Sequence, residues 1–288
     1  MAYGFKAASG VASQVREIAT EQVDTALETI RVNADFDETV HSLRKACKKL
    51  RALLKLVRPE FADYEAENAA IRSIAEQFSV ARDAAVMVQT LSGLIGADAA
   101  DAERQLLQRL QERAGHLQSQ IGEKALLSNA AEQFEALKGR IEKWRFDASG
   151  VDIILPGLKK SYARFRNNFA LARHEPDGEV MHEWRKAAKA YWYHVRLLKR
   201  AAPAVLESLT VELDALGEKL GDHHNLAVLA ASIDTAPRGG EGLDHLREAI
   251  ATRQSELAEQ SFVLARQLIV EKPSALSDRY RRYWQLLG

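Results

Sequence analysis

The stretch VHSLRKACKKLRALLKLVRP, residues 40 to 59, holds seven Lys and Arg, one His and no acid. The chain around it is neutral, with 40 basic and 40 acidic residues. On a helical wheel at about 100° per residue, His41, Arg44, Lys45, Lys48, Arg51 and Lys55 gather on one side. Leu43, Ala46, Leu50, Leu53, Leu54 and Val57 gather opposite. The stretch therefore reads as a helix with an apolar underside and an uncompensated cationic face. Cys47 falls on the apolar side, as a buried small hydrophobe.

A single helix of this kind would be read as a solvated surface. Exposed helices, however, normally mix signs, because Glu–Lys pairs one turn apart stabilise by about 0.2–0.5 kcal/mol and like charges cost a similar amount. The chain also writes the pattern again at residues 181 to 200, MHEWRKAAKAYWYHVRLLKR, with Glu183 as its one acid. At an offset of 141 residues His41 meets His182, Arg44 meets Arg185, Lys45 meets Lys186, Lys48 meets Lys189 and Lys55 meets Arg196. One residue further in offset, FSVARDAAVMV from Phe78 lies over LGDHHNLAVLA from Leu220, so that Arg82-Asp83 meets His224-Asn225. Two signatures in the same order point to an internal duplication. The period is too long for a solenoid and suits two similar helical bundles.

Elsewhere apolar residues recur at three- and four-residue steps and only six prolines interrupt. Residues 11–30, 102–121 and 130–144 are amphipathic helices in this reading. Asp35 stands three residues before Glu38 at a capping-box spacing, Asp177 caps the second basic helix, and Pro59 closes the first. Breaks are expected at 93–98, 146–160 and 235–242. The expected fold is all-α, of roughly ten helices, as one domain spanning 1–288 with halves 1–147 and 151–288.

The composition, 47% apolar and 28% charged, is that of an ordinary globular chain. Neutral net charge leaves any polyanion binding to a local patch. One cysteine excludes an intrachain disulfide framework. No apolar run approaches the roughly 18 residues of a membrane span, and no signal pattern opens the chain, so a cytoplasmic protein without membrane contact is expected.

The two cationic faces read as an anion site, suited to a chain of closely spaced phosphates. A nucleic-acid reader should interleave aromatics for stacking, and the first basic helix has none. A helical nucleic-acid binder is therefore the alternative. A metal-dependent phosphohydrolase built on Asp83 is a third reading, set back because the basic helices offer no metal-binding carboxylates. His223 and His224 are adjacent on a helix and point apart, which disfavours chelation. No metal, cofactor or catalytic residue is expected.

These motifs resemble the paired H-x-x-R-K-x-x-K signatures of the CHAD family, the conserved-histidine α-helical domain. ARDAAVM and LGDHHNLAVL resemble its companion motif, and GLKKSYARFRNNF, residues 157–169, the basic helix that opens its second half. The resemblance implies two pseudo-twofold-related helical bundles around a basic central groove. It also implies binding of inorganic polyphosphate and association with polyphosphate granules. Carried over by position, the binding residues would be His41, Arg44, Lys45, Lys48, Arg51 and Lys55 with His182, Arg185, Lys186, Lys189 and Arg196, joined by Lys160 and Arg164. Arg82, Asp83, His224 and Asn225 would support them. Two departures stand out: Trp192 replaces a basic residue late in the second motif, and Asn225 replaces an Asp. Many relatives carry a strand-rich triphosphate-tunnel domain. No segment here is patterned to house one, so a stand-alone protein is expected.

Overall fold

The computed structural model describes residues 3–96, 99–120, 122–234 and 243–287. Among these residues the secondary structure is eleven α-helices with short 3-10 turns, and no strand. They are α1 (Val11–Val32), α2 (Phe36–Val57), α3 (Tyr64–Glu76), α4 (Ser79–Leu94), α5 (Asp101–Ser119), α6 (Glu123–Ile141), α7 (Leu155–His174), α8 (Gly178–Leu198), α9 (Pro203–Asp234), α10 (Asp244–Leu268) and α11 (Pro273–Trp284). The all-α expectation holds. The two basic stretches are α2 and α8.

Their starts are fixed by the residues named for them. The Asp35 carboxylate accepts from the Glu38 amide at 2.8 Å, and the Asp177 carboxylate from the Val180 amide at 2.8 Å. Each satisfies an amide that the first helical turn leaves without a partner. α2 runs into a 3-10 turn that contains Pro59. The joint at 146–160 is shorter than its composition suggests. α7 already begins at Leu155, with Pro156 in its first turn, where a missing amide costs nothing. The expected break at 93–98 follows the end of α4, with residues 97–98 outside the described residues. The break at 235–242 lies wholly outside them.

α2 packs on α1, α3, α7 and α8, while α8 packs on α7 and α9. The main core runs through these contacts, from Val15 and Leu50 to Phe134, Tyr162, Trp184 and Leu213. A second apolar cluster joins α4 and α5, through Leu91, Leu106 and Leu110, to α9 and α10, through Leu226, Ile233, Leu246 and Ile250.

Two close approaches set the basic helices in place. A Cβ at Gly157 would lie 1.8 Å from the Leu56 carbonyl oxygen, so the α7 backbone rests directly on that of α2. At the end of α8 the Phe5 amide donates to the Leu197 carbonyl at 2.9 Å, and a Cβ at Gly4 would lie 3.1 Å from that same oxygen. Leu56 and Leu197 stand at the offset that relates the two basic helices. Between α2 and α8, the fully buried His194 donates from Nε2 to the Ala52 carbonyl at 2.9 Å. Burial pushes its ring down to about 4, so it stays neutral at the helix crossing.

Candidate polyanion-binding site

The apolar undersides of α2 and α8 are buried, and their cationic faces come into one electrostatic field. Lys48 of α2 is held below the ordinary lysine value, by burial first and then by Arg44, Arg185, Lys189 and Arg82. One lysine thus feels charges carried by α2, α8 and α4. Lys55 is pushed down to about 8, by burial and then by Arg51, Arg164 and Lys186, with Glu183 opposing. His41 is lowered by burial and by Arg82, Lys45, Lys48 and Arg44. Like charges so placed are costly unless something anionic answers them.

The two helices differ in what answers them. Among the described residues Lys45, Lys48 and Lys55 have no hydrogen bond or ion pair. Arg44 reaches the Ala75 carbonyl at 3.4 Å, and Arg51 the Asn68 side chain at 3.0 Å. On α8, Lys189 pairs with Glu218 at 2.6 Å and Asp214 at 3.4 Å. Glu183 bridges Lys186 to Arg164, the latter at 2.7 Å. The α8 side is therefore partly neutralised, and the α2 side is not.

Arg185 is the exception on α8. Its Nε is buried without a hydrogen-bond partner, and its guanidinium lies over Gly221 of α9, where a Cβ would come within 3.6 Å. Burial lowers its affinity for the proton, with only partial relief from Glu218 and Asp222. His182 lies next to it, its Nδ1 also buried and unpartnered. The His182 ring stacks on that of His224, centroids 4.1 Å apart. His224 is pushed down to about 4 by burial and then by His182 and Arg185. The basic motif of α8 and the companion motif of α9 therefore meet at this histidine pair.

Several residues stand elsewhere than the sequence places them. Arg82 belongs by position with the cations around His41 and Lys48 rather than in a supporting shell. Asp83 is exposed, with no ion pair or hydrogen bond among the described residues, and anchors no basic neighbour. The Asn225 side chain likewise has no hydrogen bond among the described residues. Arg196 is turned away from the row of Lys48 and Lys55. Its guanidinium covers Trp192 at 4.6 Å and approaches the Tyr3 and Tyr193 rings at 5.9 Å. There it acts on Lys49 instead. Lys160 and Arg164 of α7 face Lys55, Lys186 and Tyr64 across a pocket of about 170 Å³.

Sequence reading missed Tyr3, Lys49, His194 and Glu218. Asp214 and Glu218 stand one turn apart, a legible pair, but only the packing of α9 on α8 directs them at Lys189. Cys47 is buried as expected, its thiol pushed up to about 12. Among the described residues no group of three His, Cys, Asp or Glu could hold a metal ion, and no helix is long and apolar enough to cross a membrane.

An all-α protein that turns the cationic faces of two crossed helices into one field is the class that the fold and site define. The CHAD domain family model matches residues 17–234, and the chain belongs to the CHAD domain family. A similar solved structure is the CHAD domain from the plant Ricinus communis, at 17% identity and a TM-score of 0.58 over 99% of this chain and 95% of that one. Another is PptA from Streptomyces chartreusis, at 14% identity and 0.58 over 96% and 98%. At such identities the likeness is one of fold. No curated protein matches the sequence.

Proposed function

We propose that the chain binds inorganic polyphosphate across the cationic faces of α2 and α8 and is drawn to polyphosphate granules, acting as a binding module without chemistry of its own. The observation that carries this is Arg185, a guanidinium whose buried Nε has no partner, in the same field as the unpaired Lys48. A buried, unmatched charge is destabilising on its own and becomes favourable when an anion fills the gap. Cations from four helices extend along the site, which suits a chain of phosphates better than a single anion.

The repeat of the basic motif in sequence supports the same reading. Lys48 and Lys189 are partners under the 141-residue offset and lie within reach of each other. Lys55 lies near Lys186, while Arg196 and Lys45, their partners under that offset, both act on Lys49. Such an exchange of neighbours fits a twofold axis running between Lys48 and Lys189, with a basic groove along it.

Nucleic acid fits less well. Among the described residues Trp192 is the one aromatic beside the cations of α8 that is not buried. Its ring is covered by Lys189 and Arg196, and its indole nitrogen donates to the Thr210 carbonyl at 3.1 Å. Among the described residues no exposed aromatic stands over these cations as a stacking platform for bases. For catalysis, Glu183, Asp214 and Glu218 are already engaged in ion pairs, and Asp83 is exposed to solvent.

Titration with long-chain polyphosphate, single-stranded DNA and orthophosphate at one ionic strength, with and without Mg²⁺, tests the proposal. Polyphosphate should bind tightest, with affinity falling steeply as salt rises. DNA binding of equal strength would overturn it, and release of orthophosphate would restore the enzyme reading.

A further inference from the structure

The two sides of the α2–α8 crossing are not alike. On one side lies the open pocket walled by α2, α7 and α8, with Lys55, Arg58, Lys160, Arg164 and Lys186 around it. Two carboxylates answer these five cations: Glu183 shared by Lys186 and Arg164, and Glu65 on Arg58 at 2.7 Å. Its floor includes Gly157, Ala187 and Ser161, whose hydroxyl is buried and unpartnered.

On the other side, the residues at the matching offset are Arg196 for Lys55 and Lys45 for Lys186. There Tyr3 fills the space. It is 8% exposed, its hydroxyl donates to the Lys49 carbonyl at 2.8 Å, and its ring meets Tyr193 edge-on at 6.1 Å. Lys49 and Arg196 lie over the same ring, at 5.3 and 5.9 Å. The segment that carries Tyr3 is pinned by the bond from Phe5 to Leu197 and by Trp284, which donates to the Ala8 carbonyl at 3.1 Å. α7 presents Lys160 and Arg164 to the pocket, whereas the residues at the matching offset in α1 are the buried, apolar Ala19 and Val23.

We propose that the site is one-ended: the pocket between α2, α7 and α8 seats the terminal phosphate of a linear polyphosphate, and Tyr3 closes the matching position opposite. This rests on the polyphosphate reading above. The chemistry favours a terminus over an internal unit. A terminal phosphate resembles a phosphomonoester, whose second ionisation falls near roughly pH 6 and whose charge therefore approaches −2. An internal unit carries a single charge. Five cations around one small pocket match the denser charge, while the extended row from Lys48 to Arg185 matches the units behind it.

The test compares a linear polyphosphate of defined length with the same chain capped at both ends as alkyl phosphoramidates. Wild-type protein should bind the capped chain at least about tenfold more weakly, the loss of one charge-assisted contact. Tyr3→Ala, opening the far side, should bring capped and free chains closer together. Tyr3→Phe keeps the ring and should behave as wild type. Helical circular dichroism on each variant ensures that a folding defect is not read as a binding change. Equal binding of both chains by the wild type overturns the inference and leaves the polyphosphate reading standing, and an unchanged ratio in a folded Tyr3→Ala overturns the closure. Failure to bind either chain overturns both.

Discussion

The imidazoles of His182 and His224 lie against each other, centroids 4.1 Å apart and planes inclined by 31°. Burial holds both below the ordinary value of 6.5, and Arg185 adds to the depression of each. A histidine whose folded value is lowered binds fewer protons folded than unfolded. Its contribution to stability is therefore full above the unfolded value and is lost as pH falls. The ligand-free protein should lose thermal stability between about pH 6.5 and 4, the window set by His224. A bound polyanion should restore protonation and shrink that loss. Melting temperatures across this range, with and without polyphosphate, check it. Parallel curves would show that the pair does not sense the ligand.

The fold was legible in residues 40–59 and 181–200 because each carries both signals at once. The apolar stripe specifies a helix against a core, and the acid-free stripe specifies where that helix must not be covered. The caps at Asp35 and Asp177 were legible for the same local reason. What escaped depended on packing between distant segments. His194 reads as one aromatic among several until Ala52 of α2 is set beside it. Arg196 repeats Lys55 in sequence, yet Trp192 and Tyr3 draw it aside. In sequence Arg82 and Asp83 read together as supports of the binding residues, whereas the turn of α4 gives Arg82 to the cationic cluster and Asp83 to solvent.

Gly157 has no room for a side chain. An added Cβ would overlap the Leu56 carbonyl, so Gly157→Ala must push α7 off α2 and should cost about 2–3 kcal/mol. Gly139→Ala, in α6 with nothing near the added carbon, should instead stabilise by about 0.5–1 kcal/mol through helix propensity. Urea denaturation of both variants gives the contrast. Similar values for the two would mean that the α2–α7 contact is slack.

His194→Ala removes a buried ring and its hydrogen bond to α2, and should cost about 2–4 kcal/mol. Because that contact joins the two cationic helices and His194 also lines the α7 pocket, polyphosphate affinity should fall as well. His194→Gln keeps a donor and should recover part of both losses. Stability measured alongside affinity checks the pairing. Lost stability with unchanged affinity would show that the crossing does not set the site.

Glu183 competes with the ligand. It neutralises Lys186 and Arg164 at the mouth of the α7 pocket. Glu183→Gln should tighten polyphosphate binding by several-fold, about 1 kcal/mol, and steepen its salt dependence, because two further cations become free to release counterions. Calorimetric titrations at two salt concentrations read both effects. Weaker binding would make Glu183 a positioning group rather than a competitor.

Lys55 sets stability against function. Its folded value of about 8, against the ordinary 10.5, means that the folded state binds fewer protons than the unfolded one between those limits. Stability from this group is lost as pH falls through that window, and the full penalty is present at neutral pH. Lys55→Met keeps the apolar stem and removes the charge. At neutral pH it should stabilise the fold by about 1 kcal/mol, a melting increase of roughly 2–4 °C. The gain should fade as pH rises from about 8 towards 10.5. Polyphosphate affinity should drop in the same variant, since the repelled charge is the one the ligand would meet. Lower stability at neutral pH would mean that Lys55 is already satisfied in the free protein. Unchanged affinity would remove it from the site, and with it the reason for keeping an unpaired lysine between Arg51 and Lys186.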